Sequence, residues 1–311
     1  MKNVICPICG SMRCIIEFKN IEDIEHKYVK GKFDYYKCKK CKVVFLHPLP
    51  SDEQISQFYN PEYQCHTTID IKARNKTKEF IKKYFGFLFL DNLVFKNISK
   101  CFKFILKDKE DVSILEYGCG NCSLMYQIKE KFSLNKNQIL GIDLSKSAVK
   151  TCKKIGCNAI EGNSLSVVKN KKFDLVLSFQ VLEHLSNPKL FLDDVYNLLN
   201  NNGILYLQFP NYNSFGRKIF KKYWKGLDVP RHIFLYNKKN IQLLLKDKWE
   251  IIDYKTDRFY TSSIKLKKGL KLNEKHWTDK TVWSILLRIH FGRLLGFFGI
   301  GDNIHLIIKK K

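Results

Sequence analysis

The sequence predicts an α/β protein built on a doubly wound parallel sheet, with a small cysteine-bearing module ahead of it. Three observations carry this expectation. From Val112 onward, short apolar runs alternate with helical stretches, the pattern of strand–helix–strand crossovers. A glycine turn, Gly118-Cys119-Gly120, follows the first of those runs and opens a helix. Two Cys-x-x-Cys pairs, Cys6/Cys9 and Cys38/Cys41, lie near the start of the chain.

Composition bounds the function classes. The chain has 311 residues, of which 45% are hydrophobic and 14% aromatic, enough for one large domain or two modest ones and unlike a disordered or fibrous protein. Lys and Arg number 55 against 30 Asp and Glu, a formal charge of +25. Such a surplus points to an anionic partner: a nucleotide, nucleic acid, a phosphorylated sugar or an acidic membrane face. No apolar run reaches the roughly 18 residues of a bilayer span. The nearest, Tyr84 to Phe95, is broken by Asp91. The start, MKNVICPICG, lacks the apolar segment of a secretory signal, so the expected compartment is the reducing cytoplasm. There the 11 cysteines read as thiols or metal ligands rather than disulfides.

Residues 1–50 form the expected module. Each Cys-x-x-Cys knuckle offers two thiolates from one tight turn, so Cys6, Cys9, Cys38 and Cys41 match a tetrahedral zinc site. The 28 residues between Cys9 and Cys38 exceed the usual ribbon spacing and are read as a looped-out insert. A redox pair competes, but two pairs close together argue against it. Cys14, Cys65, Cys101, Cys119, Cys152 and Cys157 read as packing residues, and His47 as a further candidate ligand. His47-Pro48-Leu49-Pro50 then punctuates the chain. Residues 51–110 are expected to be a helical connector. Ser51 with Gln54 forms a capping box opening a short helix to Tyr59, and Asn75 to Lys107 has aromatic residues at helical spacing.

The main domain is expected over 111–311. Its strands read as Ser113–Tyr117, Gln138–Leu144, Asn158–Glu161, Phe173–Phe179, Gly203–Phe209, Trp249–Tyr254 and Ile304–Ile308. Helices are expected at Ser123–Phe132, Ser147–Ile155 and Pro188–Asn200. A helical insertion at about 257–302 carries Trp283, Leu286, Leu287, His290, Phe291, Leu294, Leu295 and Phe298 at helical spacing. A core or lid helix is the favoured reading; a membrane-surface helix is the other.

The strand ends hold the nucleotide signals. Glycine at 118 and 120 lets a ligand approach the backbone, and the following helix presents free N–H groups. Asp143 ends the next strand, 23 residues after Gly120, where a carboxylate accepts both hydroxyls of a ribose. Glu161-Gly162-Asn163 ends the third strand, and Gln180-Val181-Leu182-Glu183-His184 leaves the fourth.

Taken together these motifs resemble the class I S-adenosylmethionine-dependent methyltransferases over residues 110–256 and the final strand. Family members read acid-x-Gly-x-Gly-x-Gly in the first turn. Glu116, Gly118 and Gly120 match, whereas Cys122 takes the last glycine position and Asn163 stands where an aspartate is common. The resemblance implies a Rossmann-like sheet and S-adenosylmethionine as cofactor. It further implies Glu116 near the methionine amino end, Gly118 and Gly120 under the ligand, Asp143 on the ribose, Asn163 at the adenine edge and Gln180 lining the site. A dinucleotide fold competes, but its fingerprint wants glycine where Ser123 stands.

The arrangement is also similar to bacterial zinc-containing sugar methyltransferases. It is closer to shorter enzymes associated with surface-polysaccharide assembly, through Cys38 to Pro50, Phe58-Tyr59, Tyr63 and Leu227-Asp228-Val229-Pro230-Arg231-His232-Ile233-Phe234. That similarity implies a sugar, nucleotide-sugar or lipid-linked acceptor, with peripheral membrane contact open. His232 is the first candidate base because imidazole titrates near neutrality, and His184 the second. In some related quinone O-methyltransferases the Glu-His pair at this place has a metal-binding role; here a local structural pair is the favoured reading. Arg231 would pair with an acceptor phosphate or with Asp228, and Asn211 and Tyr212 would line the acceptor pocket. The charge keeps an RNA base methyltransferase as the alternative, with the zinc module gripping RNA. A cofactor-binding scaffold without activity is the third reading.

Overall fold

The computed structural model of the chain describes residues 4–59, 91–106, 111–259 and 291–311. The N-terminal part holds strands β1 (Cys14–Ile21), β2 (Phe33–Cys38) and β3 (Val44–His47), then a short helix α1 (Asp52–Ser56). Ser51 and Gln54 cap α1 reciprocally, as the capping box requires. Helix α2 (Asp91–Ile105) precedes the main sheet. The part of the expected connector from 60 to 90, which holds Tyr63, Cys65 and the start of the expected helix from Asn75, and the expected helical stretch Trp283 to His290 lie outside the described residues.

The main sheet contains β4 (Ile114–Tyr117), β5 (Ile139–Asp143), β6 (Asn158–Glu161), β7 (Phe173–Phe179), β8 (Leu199–Pro210), β10 (Trp249–Asp257) and β11 (Asn303–Lys310). Their order is β10-β11-β8-β7-β4-β5-β6. The pairs among β4 to β8 are parallel. β11 runs antiparallel to both β8 and β10, so the sheet is parallel except for one reversed strand. β7 is buried along nearly its whole length, which explains its continuous apolar run: both faces are covered. Helices α3 (Ser123–Lys131), α4 (Lys146–Lys154) and α5 (Pro188–Leu198) are the crossovers. Ser145 caps α4 through the Ala148 N–H, and Asn187 caps α5 through the Leu190 N–H with Pro188 in the first turn.

One face of the sheet packs under α2 and α3, through Ile98, Met125, Leu175 and Tyr206. The other face shares its core with the N-terminal part, through Tyr35, Phe45, Leu207, Phe209 and Phe234. The small sheet is ordered β1-β2-β3-β9, all antiparallel. Its last strand, β9 (Phe234–Leu235), comes from the far side of the chain, pairing Val44 with Leu235 and Phe45 with Phe234. Between β8 and β10 also lie α6 (Phe215–Phe220) and α7 (Lys238–Leu245), which the sequence pattern did not single out. Residues 291–297 are helical. No helix among the described residues is long and apolar enough to cross a membrane.

Candidate functional site

The ends of β4, β5 and β7 meet at one corner. Gly118 sits at φ +78°, in the left-handed region, and a Cβ there would lie 2.4 Å from Val181 Cγ2. Only glycine fits both the turn and the chain leaving β7. The turn hangs from β5. Gly118 N–H and Cys119 N–H donate to the Ile142 carbonyl at 2.8 and 3.1 Å. Gly120 N–H donates to Asp143 Oδ2 at 2.8 Å, and Ser145 N–H donates to Oδ1 at 2.9 Å. Asp143 thus stands at the strand end with its carboxylate fixed by two backbone donors.

Glu116 is buried behind the turn, and its Oε2 has no hydrogen-bond partner among the described residues. Burial, with the Asp143 charge added, pushes its carboxyl up to about 8. An orphaned buried carboxyl oxygen next to a backbone cradle fits the amino end of a nucleoside-linked amino acid. Tyr117 donates to the Asn163 carbonyl at 2.9 Å, bringing the loop after β6 to the same corner, where Asn163 is exposed. Gln180, at φ +56°, leaves β7 with its amide 3.5 Å from Asn303 Oδ1.

A second constellation lies where β7 exits. Ile233 N–H donates to the Glu183 carbonyl at 2.7 Å, which sets the Pro-Arg-His segment against the β7 exit. His184 and His232 face each other edge to face, ring centroids 4.6 Å apart. His232 Nδ1 is 2.9 Å from the Gly226 carbonyl, which only accepts, so Nδ1 carries the proton. Nε2 is then the basic nitrogen, 3.8 Å from Glu183 Oε1. His184 Nδ1 is 2.8 Å from the Tyr59 hydroxyl and 3.0 Å from the Arg231 carbonyl. Burial and the neighbouring His232 push His184 down to about 3, so it stays neutral.

Glu183 is the residue sequence reasoning passed over as a local partner of His184. Both of its carboxylate oxygens are buried without a hydrogen bond among the described residues, and burial pushes it from 4.5 up to about 8. Between those two values the folded state holds a proton that the unfolded chain has released. Stability therefore falls as pH rises through that window. Glu183→Gln is expected to gain stability over the parent at pH 9 and to match it at pH 4, as read by urea unfolding at both pH values. An equal difference at both would show that the carboxyl does not titrate in the fold.

Of the two expected pairings of Arg231 the structure shows the one with Asp228, and the expected acceptor contact of Asn211 is corrected. Arg231 is 1% exposed and sealed: its guanidinium donates to both Asp228 oxygens, to both Asp23 oxygens and to the Phe58 carbonyl. It joins the small sheet to the main domain and does not reach an acceptor. Asn211 is likewise enclosed, its amide donating to the Gly301 carbonyl at 2.9 Å and its Oδ1 accepting from Asn213 N–H. Tyr212 meets Glu17 of β1 and Arg217 of α6, the guanidinium 4.4 Å above its ring. Glu17 and Arg217 carry no sequence signal, because their partners lie far along the chain.

The four knuckle cysteines do converge. All four sulfurs lie within 4.8 Å of one another. Cys6 Sγ is 3.6 Å from Cys41 Sγ, and Cys9 Sγ is 3.6 Å from Cys38 Sγ. A zinc tetrahedron with Zn–S near 2.3 Å has an edge of about 3.8 Å. The donor set and spacing therefore fit the ion. His47 is not part of this group; its ring packs on Tyr36. The expectation of thiols elsewhere needs correction: Cys152 is bonded to Cys122 as a disulfide. Two cysteines 30 apart in sequence give no local sign of pairing.

The family model described as a methyltransferase domain matches residues 87–248, just over half of the chain. The chain belongs to this family, and the strand-end corner lies within the matched part. Among curated proteins, it is 28% identical over 120 residues to a ubiquinone biosynthesis O-methyltransferase of Pelagibacter ubique, covering 36% of this chain and 48% of that one. It is 32% identical over 127 residues to an uncharacterized protein of Methanocaldococcus jannaschii, covering 40% and 52%. The chain spans about half the length of these curated relatives. Among solved structures, a SAM-dependent methyltransferase from Archaeoglobus fulgidus aligns at TM-score 0.45 and 18% identity, over 76% of this chain and 99% of that one. Coclaurine N-methyltransferase, bound to N-methylheliamine and SAH, aligns at TM-score 0.44 and 15% identity, over 68% and 70%.

Proposed function

We propose that this protein transfers a methyl group from S-adenosylmethionine to a small-molecule or glycan acceptor: a sugar, nucleotide-sugar or lipid-linked intermediate of surface-polysaccharide synthesis. The observation that carries the reading is the corner itself. A glycine with no room for a side chain, a backbone-fixed Asp143 and an orphaned, buried Glu116 sit at adjacent strand ends. In this reading Asp143 holds the ribose, Glu116 the amino end, Gly118 and Gly120 the ligand's flank, Asn163 the adenine edge and Gln180 the far wall. Similarity to an O-methyltransferase of ubiquinone biosynthesis supports a small-molecule acceptor.

When bound, the cofactor supplies an electrophilic methyl on a sulfonium. What remains for the protein is alignment and removal of one acceptor proton. His232 is proposed to take that proton at Nε2, its other nitrogen being fixed by the Gly226 carbonyl. His184 is the second candidate for that role, its Nδ1 lying against the Tyr59 hydroxyl and the Arg231 carbonyl. Zinc is proposed at Cys6, Cys9, Cys38 and Cys41, where it would brace the small sheet.

Calorimetry with S-adenosylhomocysteine tests the cofactor assignment. The parent is expected to bind, and Asp143→Ala to lose on the order of 100-fold in affinity, since charge-assisted hydrogen bonds are removed. Circular dichroism checks that the variant is folded. Absence of binding heat with folded parent protein would overturn the reading. The net charge of +25 supports a second reading, methylation of an RNA base. Labelled-methyl transfer to nucleotide-sugars against RNA separates the two.

A further inference from the structure

We propose that Cys122 and Cys152 form a thiol–disulfide site that takes a low-molecular-weight disulfide, such as glutathione disulfide, as co-reactant. Its redox state sets how tightly the glycine turn holds its nucleotide. The proposal rests on the reading of that turn as the cofactor's seat.

Cys122 ends the turn at φ +58°, as the residue before α3, and its side chain makes no capping hydrogen bond. Cys152 lies in the last turn of α4, the helix that begins just after Asp143. Their bond ties one wall of the corner to the other. Both residues are fully buried. Cys119, between the two glycines, brings a third sulfur within 4.8 Å of them. Burial and the nearby Glu116 and Asp143 charges push the Cys119 thiol well up, so it stays protonated and takes no part in exchange.

Gly118 and Cys119 are tethered to the Ile142 carbonyl and Gly120 to Asp143, all at the end of β5. Cys122 bonds locally, its N–H donating to the Cys119 carbonyl and its carbonyl accepting from Tyr126 N–H, both at 2.9 Å, while a side chain at its positive φ is disfavoured. The disulfide holds it covalently against α4. Once the bond is reduced, two thiols must pack where one bond ran, and the end of the turn loses its covalent tie to α4 while keeping its local backbone hydrogen bonds. The bonded form is therefore the preorganised one and binds the nucleotide more tightly.

The exchange balances without any further reagent. With the turn open, the Cys122 thiolate attacks one sulfur of the small disulfide. A mixed disulfide forms and one small thiol leaves. The Cys152 thiolate then attacks the Cys122 sulfur and expels the second small thiol. Two protein thiols are oxidised, one small disulfide is reduced to two thiols, and the two protons released by the cysteines end on those thiols. Because the pair is buried, exchange requires the turn to open. A bound nucleotide holds it closed, so linkage runs both ways.

The full chain is treated with glutathione disulfide or with a phosphine reductant. Differential alkylation and peptide mass mapping locate the linkage, and calorimetry reads S-adenosylhomocysteine affinity. The expected result is a Cys122–Cys152 linkage after oxidation and binding at least about fivefold tighter than in the reduced protein. Bound S-adenosylhomocysteine is expected to slow reduction. Cys152→Ser and Cys122→Gly are each expected to bind equally under both conditions. Cys122→Gly supplies the residue that the positive φ favours, so it serves if Cys152→Ser fails to fold. All four knuckle cysteines remain in both variants, so the comparison isolates the turn. No linkage after oxidation, or linkage with unchanged affinity, would overturn the proposal. No binding heat in either state would overturn the cofactor assignment, and the coupling with it, while the mapping still reports the thiol site by itself.

Discussion

Arg231→Ala is expected to lower the unfolding free energy by about 3–5 kcal/mol, the usual penalty for breaking a buried ion pair from one side. The guanidinium is 1% exposed, and its partners Asp23 and Asp228 are 1% and 11% exposed at their side chains. Removing it takes the guanidinium from both carboxylates. Asp23 holds more than Arg231: its oxygens also accept the N–H groups of His26, Tyr28 and Val29, so the loop after β1 is wound around that carboxylate. With the guanidinium present, its hydrogen bonds and charge hold Asp23 below the ordinary carboxylate range despite burial. Thermal unfolding followed by circular dichroism would show a fall in Tm of about 10 °C for a chain of this size. Adding Asp23→Asn and Asp228→Asn to the variant should recover part of the loss, because neutral amides are less costly to bury than unpaired charges. A loss below about 1 kcal/mol would show that the cluster is open to water rather than sealed.

Removing the zinc proposed at Cys6, Cys9, Cys38 and Cys41 is expected to have the other large effect, and a divided one. Zinc bound by four thiolates supplies on the order of 10 kcal/mol or more to small modules of this kind. Without it, Cys6, Cys9, Cys38 and Cys41 no longer hold the two knuckles together, and β1 to β3 are expected to lose their pairing. The loss spreads to the acceptor side, because Tyr35 donates to the His232 carbonyl at 2.9 Å and Leu46 N–H to the Ile233 carbonyl at 2.8 Å. The nucleotide corner is built from β4, β5 and β7 and makes none of these bonds. Chelation, or Cys38→Ser, should therefore abolish methyl transfer while leaving S-adenosylhomocysteine affinity within about threefold of the parent. Hydrogen exchange should rise across residues 14–47. Unchanged exchange there after metal removal would sink the assignment.

The legible parts of the fold were those written in local patterns. β7 reads as a buried strand because six successive residues, Phe173 to Ser178, are buried, and the alternation from Ile114 to Tyr254 follows. The capping box at Ser51 and Gln54, the knuckles, and the glycine corner with Asp143 were visible for the same reason: each is a short motif whose chemistry demands particular residues. What stayed hidden depends on distant partners. β9 is a two-residue strand whose partner β3 lies about 190 positions earlier, and no periodicity marks it. Asp228 lies three residues from Arg231 and is a visible partner, whereas nothing in the sequence marks Asp23, 208 residues away. Compartment and composition read Cys152 as a packing residue, and they say nothing of two side chains brought together by a crossover. Glu183 was visible beside His184, but its isolation in the core is a property of the surrounding fold.

The shared strand β9 has a consequence for anyone building hybrids of this protein. Its hydrogen-bonded edge means that residues 1–50 are not a detachable cassette. A ribbon grafted from another chain would meet Phe234 and Leu235 along a border those residues had never shaped, and Tyr35 would have to be supplied anew. A workable exchange carries the ribbon together with the stretch from 227 to 236 and with Tyr212 and Arg217, which meet Glu17 of β1, so that separate stretches of sequence are inherited as one.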